Sequence, residues 1–330
     1  MRRIIGLGNA LIDLLVILKD DNSLDNMKLA KGSMQLISAS KFQDLNKIIS
    51  SMEVSQTTGG SAANTIQALA SLGSPVGFIG KIGNDAYGSF FEQTFKAKGV
   101  HTNLIHDNNL PSGVASTFIS QDGERTFGTF LGAAAELSAS EILTEMYSGY
   151  DILYIEGYLV QNHDLILNAV KLAKEMGLKV CIDMASYNIV SEDLDFFTYL
   201  VTNFIDIVFA NEEEAYAFAR TTDATEALNY IAELCEIAIV KVGSNGSYLK
   251  SINQTYPICV YQKHCVIDTT GAGDYYAAGF LYGYINGFDL ETSANIGALL
   301  SGYIIQVVGT ALPIETWDKI KWEIAELTKK

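Results

Sequence analysis

Between residues 150 and 243, four apolar runs of strand length alternate with stretches of helical periodicity. The runs are "DILYIEG", "LKVCID", "DIVFAN" and "IAIVKVG", and the amphipathic stretches between them include residues 163–176 and 225–235. A strand that is apolar at nearly every position has both faces covered, and a helix between successive strands lays them side by side in parallel. The N-terminal part repeats the theme with "RIIGLG", a helical pattern over 61–72 and "VGFIGKIG". The pattern predicts an α/β fold of three layers, α/β/α, around a central, mostly parallel sheet.

Two segments, about 14–37 and 100–131, break that rhythm. They are strand-like and interrupted by polar residues, and "VASTFISQDGERTFGTF" reads as a hairpin turning at Asp122-Gly123. Such strands inserted in an α/β chain predict a small β-sheet projecting as a lid, through which two copies could pair as a homodimer. With 330 residues, only four prolines and no repeat or low-complexity linker, residues 1–330 read as a single domain carrying the lid.

Composition excludes several classes of function. Hydrophobic residues at 48% and charged residues at 18% exclude disorder as the main state. A net charge of −16 argues against nucleic acid and anionic membranes as partners, since both need a basic surface. Cys181, Cys235, Cys259 and Cys265 have no metal-ligand spacing and read as free thiols in a reducing compartment. The opening "MRRIIGLGNALIDLLVILKDD" starts like a secretory signal, but Asn9 and Asp13 interrupt its apolar run and no small-x-small cleavage site precedes Lys19. No stretch reaches the ~18 apolar residues of a membrane span. A cytoplasmic location is expected.

Chemistry concentrates in a few stretches. In "DTTGAGDYYAAGFLYGYING" (268–287), apolar residues at 277, 278, 281, 284, 285 and 288 recur at helical spacing, so Gly271, Ala272 and Gly273 form the entry loop with Asp274 at its mouth. Bare backbone N–H groups at a helix N-terminus can hold an anion, and the helix dipole should depress the Asp274 pKa and keep it ionised as a proton acceptor. Ordinary capping explains the same letters equally well. In "GGSAAN" (59–64), Gly59 and Gly60 let a ligand approach the backbone, and Asn64 lies one turn into a helix where it can pair with hydroxyls; Ser61 as a plain N-cap is the alternative. In "ANEEEA" (210–215), Asn211 and Glu214 share a helix face at a spacing that suits hydrated Mg2+, or simply favours the dipole. Two familiar phosphate loops fail. "GNDAYGS" (83–89) has Ser89 where a Walker loop needs Lys, and Gly6-Leu7-Gly8 is followed by Leu11 where a dinucleotide fingerprint needs a small residue.

Together these stretches resemble the ribokinase-like sugar and nucleoside kinases, nearly end to end. "DTTGAGD" is similar to that family's C-terminal signature, "GGSAANT" with "GKIGNDAYG" (80–88) to its N-terminal signature, and "NEEE" (211–214) to its N-x-x-E metal motif. "GNALID" (8–13) resembles the first substrate loop of the adenosine-kinase-like branch more than that of ribokinase. The resemblance implies ATP as co-substrate, with Asp274 as base and Gly271, Ala272 and Gly273 as anion hole for the γ-phosphate. It implies Asn9, Asp13, Gly59, Gly60, Asn64 and Glu156 as substrate ligands, and Asn211 and Glu214 as holders of water around Mg2+. Lys241, Gly243, Gly246 and Asn295 fall where the nucleotide lies in that family, and Arg125 on the hairpin matches a phosphate-facing arginine; a solvated turn charge is its alternative. Asp268, Thr270 and Gly309 fall at a monovalent-cation loop that would take K+. Tyr275 and Tyr276 depart from the Ala and Phe of many members.

The expected activity is phosphoryl transfer from ATP to a hydroxymethyl group of a sugar or nucleoside, adenosine-like or ribose- and fructose-like. Two rivals stay open: an NAD-dependent oxidoreductase resting on Gly6-x-Gly8, and a catalytically silent sugar- or nucleoside-binding protein of kinase fold.

Overall fold

The computed structural model describes residues 2–122, 124–252, 254–261 and 266–329. Gly123 of the expected turn and the thiol of Cys265 lie outside them. Fourteen strands among the described residues divide between two sheets. The large sheet holds β1 (Ile4–Leu7), β5 (Val76–Gly83), β6 (His101–Asp107), β9 (Ile152–Glu156), β10 (Lys179–Asp183), β11 (Ile207–Asn211), β12 (Ile237–Lys241), β13 (Ser247–Ser251) and β14 (Gln254–Ile258). Their spatial order is β14-β13-β12-β11-β10-β9-β1-β5-β6, parallel except for the antiparallel β12–β13–β14 edge. The small sheet holds β2 (Leu11–Ile17), β3 (Met34–Leu36), β4 (Val54–Gly59), β7 (Gly113–Ile119) and β8 (Arg125–Phe130), in the order β3-β8-β7-β2-β4.

Period-two alternation sorts the large sheet into two cores. Ile4, Ile152 and Tyr154 point to one side, where they join Phe78, Phe209 and Phe280 beside the helices Ser61–Ser71 and Ala272–Ile285. Ile5, Leu153 and Ile155 point to the other, against Leu165, Val170 and Leu200 of the helices His163–Glu175 and Leu194–Phe204. Each fully buried side chain of this kind contributes roughly 1.5–3 kcal/mol, so the middle layer holds both helical layers.

The same rule orients the small sheet. Ile12, Leu14 and Val16 are buried toward Leu29, Phe42 and Leu45, so Asp13, between Ile12 and Leu14, takes the opposite, open face. A one-residue register slip would bury the carboxylate and expose three aliphatics.

Two expectations are corrected, and one strand was not foreseen. Residues 101–107 belong to the large sheet, because they pair in parallel with Val76–Gly83. The unforeseen strand, residues 54–59, joins the small sheet through antiparallel bonds to β2. Residues 22–27, read as strand-like, form a short helix that buries Leu24 and Met27 three positions apart on one face. The dinucleotide reading fails on topology: β1 runs through Gly8–Ala10 into another strand, β2, and no helix follows to receive a pyrophosphate.

The N-terminal stretch is built into both sheets, as β1 and β2. Among the described residues, no helix is long and apolar enough to cross a membrane.

Candidate active site

Glu156, Asp183, Asn211 and Lys241 close the parallel strands β9 to β12, the edge at which open α/β sheets place ligands. Asp274 meets this edge from the first turn of the helix Ala272–Ile285, whose N-cap Gly271 sits at φ 76°, in the left-handed region. The helix thus starts two residues earlier than a loop over 271–273 implies, with Ala272 and Gly273 in its first turn.

The Asp274 carboxylate is held from across the cleft. Ser61 Oγ donates to its Oδ1 at 2.7 Å and Asn64 Nδ2 to its Oδ2 at 2.9 Å. Gly60 is the N-cap of the Ser61 helix, which frees the Ser61 hydroxyl for this bond and sets aside the plain capping reading of that serine. Asn64 Oδ1 is buried with no hydrogen bond. Behind Asp274, Tyr275 donates to the Thr310 carbonyl at 3.0 Å and stacks on Trp317, while Tyr276 and Ser247 hydroxyls meet at 2.7 Å. The two tyrosines that depart from the family pattern therefore anchor the helix carrying Asp274.

The dipole expectation for this carboxylate is overturned in direction. Burial raises the Asp274 pKa to about 6, against the pull of Asn64 and Ser61, and Asp183 adds to the rise. Removing water outweighs two hydrogen bonds. The group is still mostly ionised at pH 7, and a base titrating near neutrality is well matched to proton transfer there.

Asp13 lies over Gly59, where a β-carbon would come within 2.3 Å of its Oδ1, so only glycine leaves room for the carboxylate. Among the described residues, no hydrogen bond to the Asp13 side chain is formed. Burial and the neighbouring Asp274 charge raise its pKa to about 7. Glu156 works underneath. It accepts from Asn9 N at 2.9 Å, Asn9 Nδ2 at 2.5 Å and Ala62 N at 3.0 Å, and burial lifts its pKa to about 7. Expected as a substrate ligand, it is 1% exposed and ties the substrate loop to the start of the Ser61 helix.

Asn211 and Glu214 form a reciprocal cap. Glu214 N donates to Asn211 Oδ1 at 2.9 Å, and the two Glu214 oxygens accept from Asn211 N at 2.8 Å and Asn211 Nδ2 at 2.7 Å. Each carboxylate oxygen keeps one lone pair, so the donor set fits an ion held through water better than a directly bound one. Burial and Asp183 push the Glu214 pKa to about 7, a strain that a cation would relieve.

Lys241 Nζ donates to Asp183 Oδ2 at 2.8 Å and lies 3.0 Å from where a β-carbon on Gly273 would be. Gly243 and Gly246 shape the turn into β13, both at positive φ, and Asn295 turns its amide back onto the Glu291 carbonyl. No hydrogen bond links these three to Lys241.

Arg125, Asp268, Thr270 and Gly309 do come together, but around the guanidinium. Arg125 pairs with Asp268 Oδ2 at 2.6 Å and donates to Thr270 Oγ1 at 3.0 Å. Gly309 N takes the same Asp268 oxygen at 2.6 Å, and Thr270 N and Oγ1 take the other at 2.9 and 2.7 Å. All four carboxylate lone pairs of Asp268 are used, so this side chain does not fit as a ligand for K+.

Sequence reasoning missed Ser61 as a partner of the base, and missed Asp183 altogether. The acid ending the apolar run "LKVCID" was the available signal, since a charge at the carboxyl end of a buried parallel strand faces the ligand edge.

Four raised carboxylates give a measurable signature. Asp13, Glu156, Glu214 and Asp274 bind protons more tightly folded than unfolded. Their stabilising contribution is full below pH ~4 and is lost as pH rises through 6 to 7. The thermal midpoint of the ligand-free protein is expected to rise as pH falls from 8 to 5, in calorimetry at fixed ionic strength; a flat or falling midpoint would refute the burial argument.

Residues 25–317 match the model of the pfkB family carbohydrate kinases. A probable sugar kinase from Rhizobium etli shares 31% identity and superposes with a TM-score of 0.87 over 99% of both chains. The adenosine kinase of Sinorhizobium meliloti shares 31% identity at a TM-score of 0.84, over 96% of this chain and 98% of that one. A 5-dehydro-2-deoxygluconokinase from Bacillus subtilis is 28% identical over 82% of this chain and 87% of its own length. The chain belongs to the pfkB family of carbohydrate kinases, phosphotransferases acting on a sugar hydroxyl.

Proposed function

We propose that this kinase transfers the γ-phosphoryl group of ATP to a primary hydroxyl of a neutral sugar or nucleoside, with Asp274 as the base. The carrying observation is the Asp274 carboxylate, held by Ser61 and Asn64 with its remaining lone pairs free, beside the Gly271–Gly273 turn. The acceptor hydroxyl gives its proton to Asp274 as its oxygen attacks the γ-phosphorus. The bond from that phosphorus to the β,γ-bridging oxygen breaks, leaving a phosphomonoester and ADP. The backbone amides of Gly271 and Gly273 meet the charge that builds on the moving group, whereas Ala272 N, expected to share in this, donates to the Thr269 carbonyl at 3.1 Å. Magnesium, when bound, would neutralise phosphate charge, with Asn211 and Glu214 holding its waters.

Charge selects the acceptor class. Among the described residues, no salt bridge reaches Asp13 or Asp274, and Lys241 acts on Asp274 alone, so an acceptor carboxylate placed beside Asp13 would meet repulsion. A second feature favours a nucleoside. Asp13, Ala115, Thr129 and Leu36 form one row across the small sheet. Thr129 and Leu36 also line a cavity of about 280 Å³, with Ile37, Phe130 and Leu131. At ~4.8 Å per strand the cavity begins roughly 10 Å from Asp13, far enough to take an apolar base while Asp13 holds the hydroxyls. ADP release over ribose, fructose, adenosine, inosine and cytidine tests the reading; turnover of none of them would sink it.

The metal role has its own test. Glu214→Gln is expected to raise the Mg2+ concentration for half-maximal rate and to cost about 1 kcal/mol of stability through the weakened cap. Loss of stability with an unchanged Mg2+ titration would leave Glu214 as a cap alone. The free thiols and the demand for ATP support a cytoplasmic setting. On the same face as Asp13, toward the rim of the small sheet, Ile17 is 71% and Leu36 66% exposed, and a second copy pairing there would cover them, which the solution mass would report.

A further inference from the structure

We propose that Lys241 is a catalytic residue that completes the anion hole as a direct contact to the transferred phosphoryl group, and that Asp183 is the residue that positions it. The inference rests on the kinase reading above and adds a cation that backbone amides cannot supply.

The geometry is specific. Lys241 ends β12, and its ammonium lies against the bare α-carbon of Gly273, where a β-carbon would stand 3.0 Å from Nζ. A side chain at 273 would come between the ammonium and the loop. Asp183, ending β10 two strands away, holds Nζ at 2.8 Å from below. Among the described residues this is the single hydrogen bond of the ammonium, so two of its three N–H donors have no protein partner. Arg125, the other cation at this loop, spends its bonds on Asp268 and Thr270.

Charge accounting points the same way. Asp183, Glu214 and Asp274 surround Lys241 and, against the opposing effect of burial, hold its pKa above the ordinary lysine value. It therefore stays charged throughout the working range. A lysine needed only to neutralise Asp183 would have no reason to press against Gly273, the one glycine in the first turn of that helix. A lysine that meets developing negative charge must stand there, pre-oriented by a counter-ion. Lys241 makes and breaks no covalent bond; its N–H groups donate to the equatorial oxygens of the moving group while the acceptor proton goes to Asp274.

The experiment compares wild type, Lys241→Met, Asp183→Asn and the double variant, with ATP turnover and with calorimetric binding of AMP-PNP and ADP. Lys241→Met is expected to lose ~10²–10³-fold in kcat, the scale of one oxyanion donor, with acceptor KM nearly unchanged. It should also bind AMP-PNP about tenfold more weakly while ADP binding stays within about twofold, because only the triphosphate carries the contacted group. Asp183→Asn, which keeps the ammonium but loosens its aim, should lose about tenfold in kcat, and the double variant should be no slower than Lys241→Met. Should Lys241→Met fail to fold with Asp183 left unpaired, the double variant carries the comparison, since it removes both charges. Equal losses for AMP-PNP and ADP, or a Lys241→Met enzyme with more than about a third of wild-type kcat, would overturn the proposal. If wild type phosphorylates no acceptor, the kinase reading fails on its own, while the AMP-PNP to ADP ratio still decides whether Lys241 senses the terminal phosphoryl group.

Discussion

Asp274→Asn is expected to cut turnover by ~10²–10⁴-fold while leaving acceptor affinity close to wild type. The substitution keeps the size and the hydrogen-bond geometry of one oxygen, so Ser61 can still donate. The second oxygen becomes an amide N–H₂ that faces Asn64 Nδ2, and rotation of the Asn64 amide would present its unbonded Oδ1 instead. The fold is thus spared and the lost property is the ability to take a proton. Wild-type turnover should fall on acidification with an apparent pKa near 6, because burial has raised this carboxylate into that range. Below that pH the base is protonated and inactive; above it the rate levels off once Asp13 and Glu214, raised to about 7, are ionised as well. The variant's residual rate should show no such limb. A variant retaining more than about a third of wild-type turnover would mean that Asp274 serves only the helix start.

The second large effect concerns discrimination between acceptors. Asp13 faces the cleft with its carboxylate unpaired and its pKa raised to about 7, so it gains most from two vicinal hydroxyls. Deleting one of them leaves a buried acceptor half satisfied, at a cost of roughly 1.5–3 kcal/mol, or about 10- to 150-fold in kcat/KM. Wild type should therefore prefer adenosine over 2′-deoxyadenosine by that factor, and Asp13→Ala should lose most of the preference along with much of its rate. A preference that survives in Asp13→Ala would assign the hydroxyls to other residues. Phosphorylation of a free sugar with no turnover of either nucleoside would move the enzyme to the sugar-kinase side.

How far the chain could be read depended on how local each signal was. The four parallel strands after residue 150 were legible because burial on both faces writes an unbroken apolar run, and their observed bounds fall inside the quoted stretches. The strand Val54–Gly59 was not, because "VSQTTG" is polar and owes its place to backbone pairing with β2. Asp274 and Asn64 were legible as candidates because glycines stand just before them in the chain, and Asp13 through the resemblance of "GNALID" to a substrate loop. Their electrostatics were not. The dipole at a helix start is a local property, whereas water exclusion depends on walls contributed by residues as far as 213 positions away. The Asp183–Lys241 and Arg125–Asp268 pairs likewise join segments 58 and 143 residues apart in sequence, with no shared motif.

Glu156 has a mechanical consequence. The chain passes between the two sheets at Gly8–Ala10 and again at Gly59–Gly60, and a single buried carboxylate pins both passages through Asn9 and Ala62. Asn9, Asp13, Gly59, Gly60 and Asn64 therefore sit on or beside the hinge about which the small sheet would swing. On the proposed function, opening that sheet would pull Asp13 away from Asp274 and divide the acceptor site. Acceptor affinity and lid position would then share one free energy, so that whatever favours closure would tighten binding by the same factor.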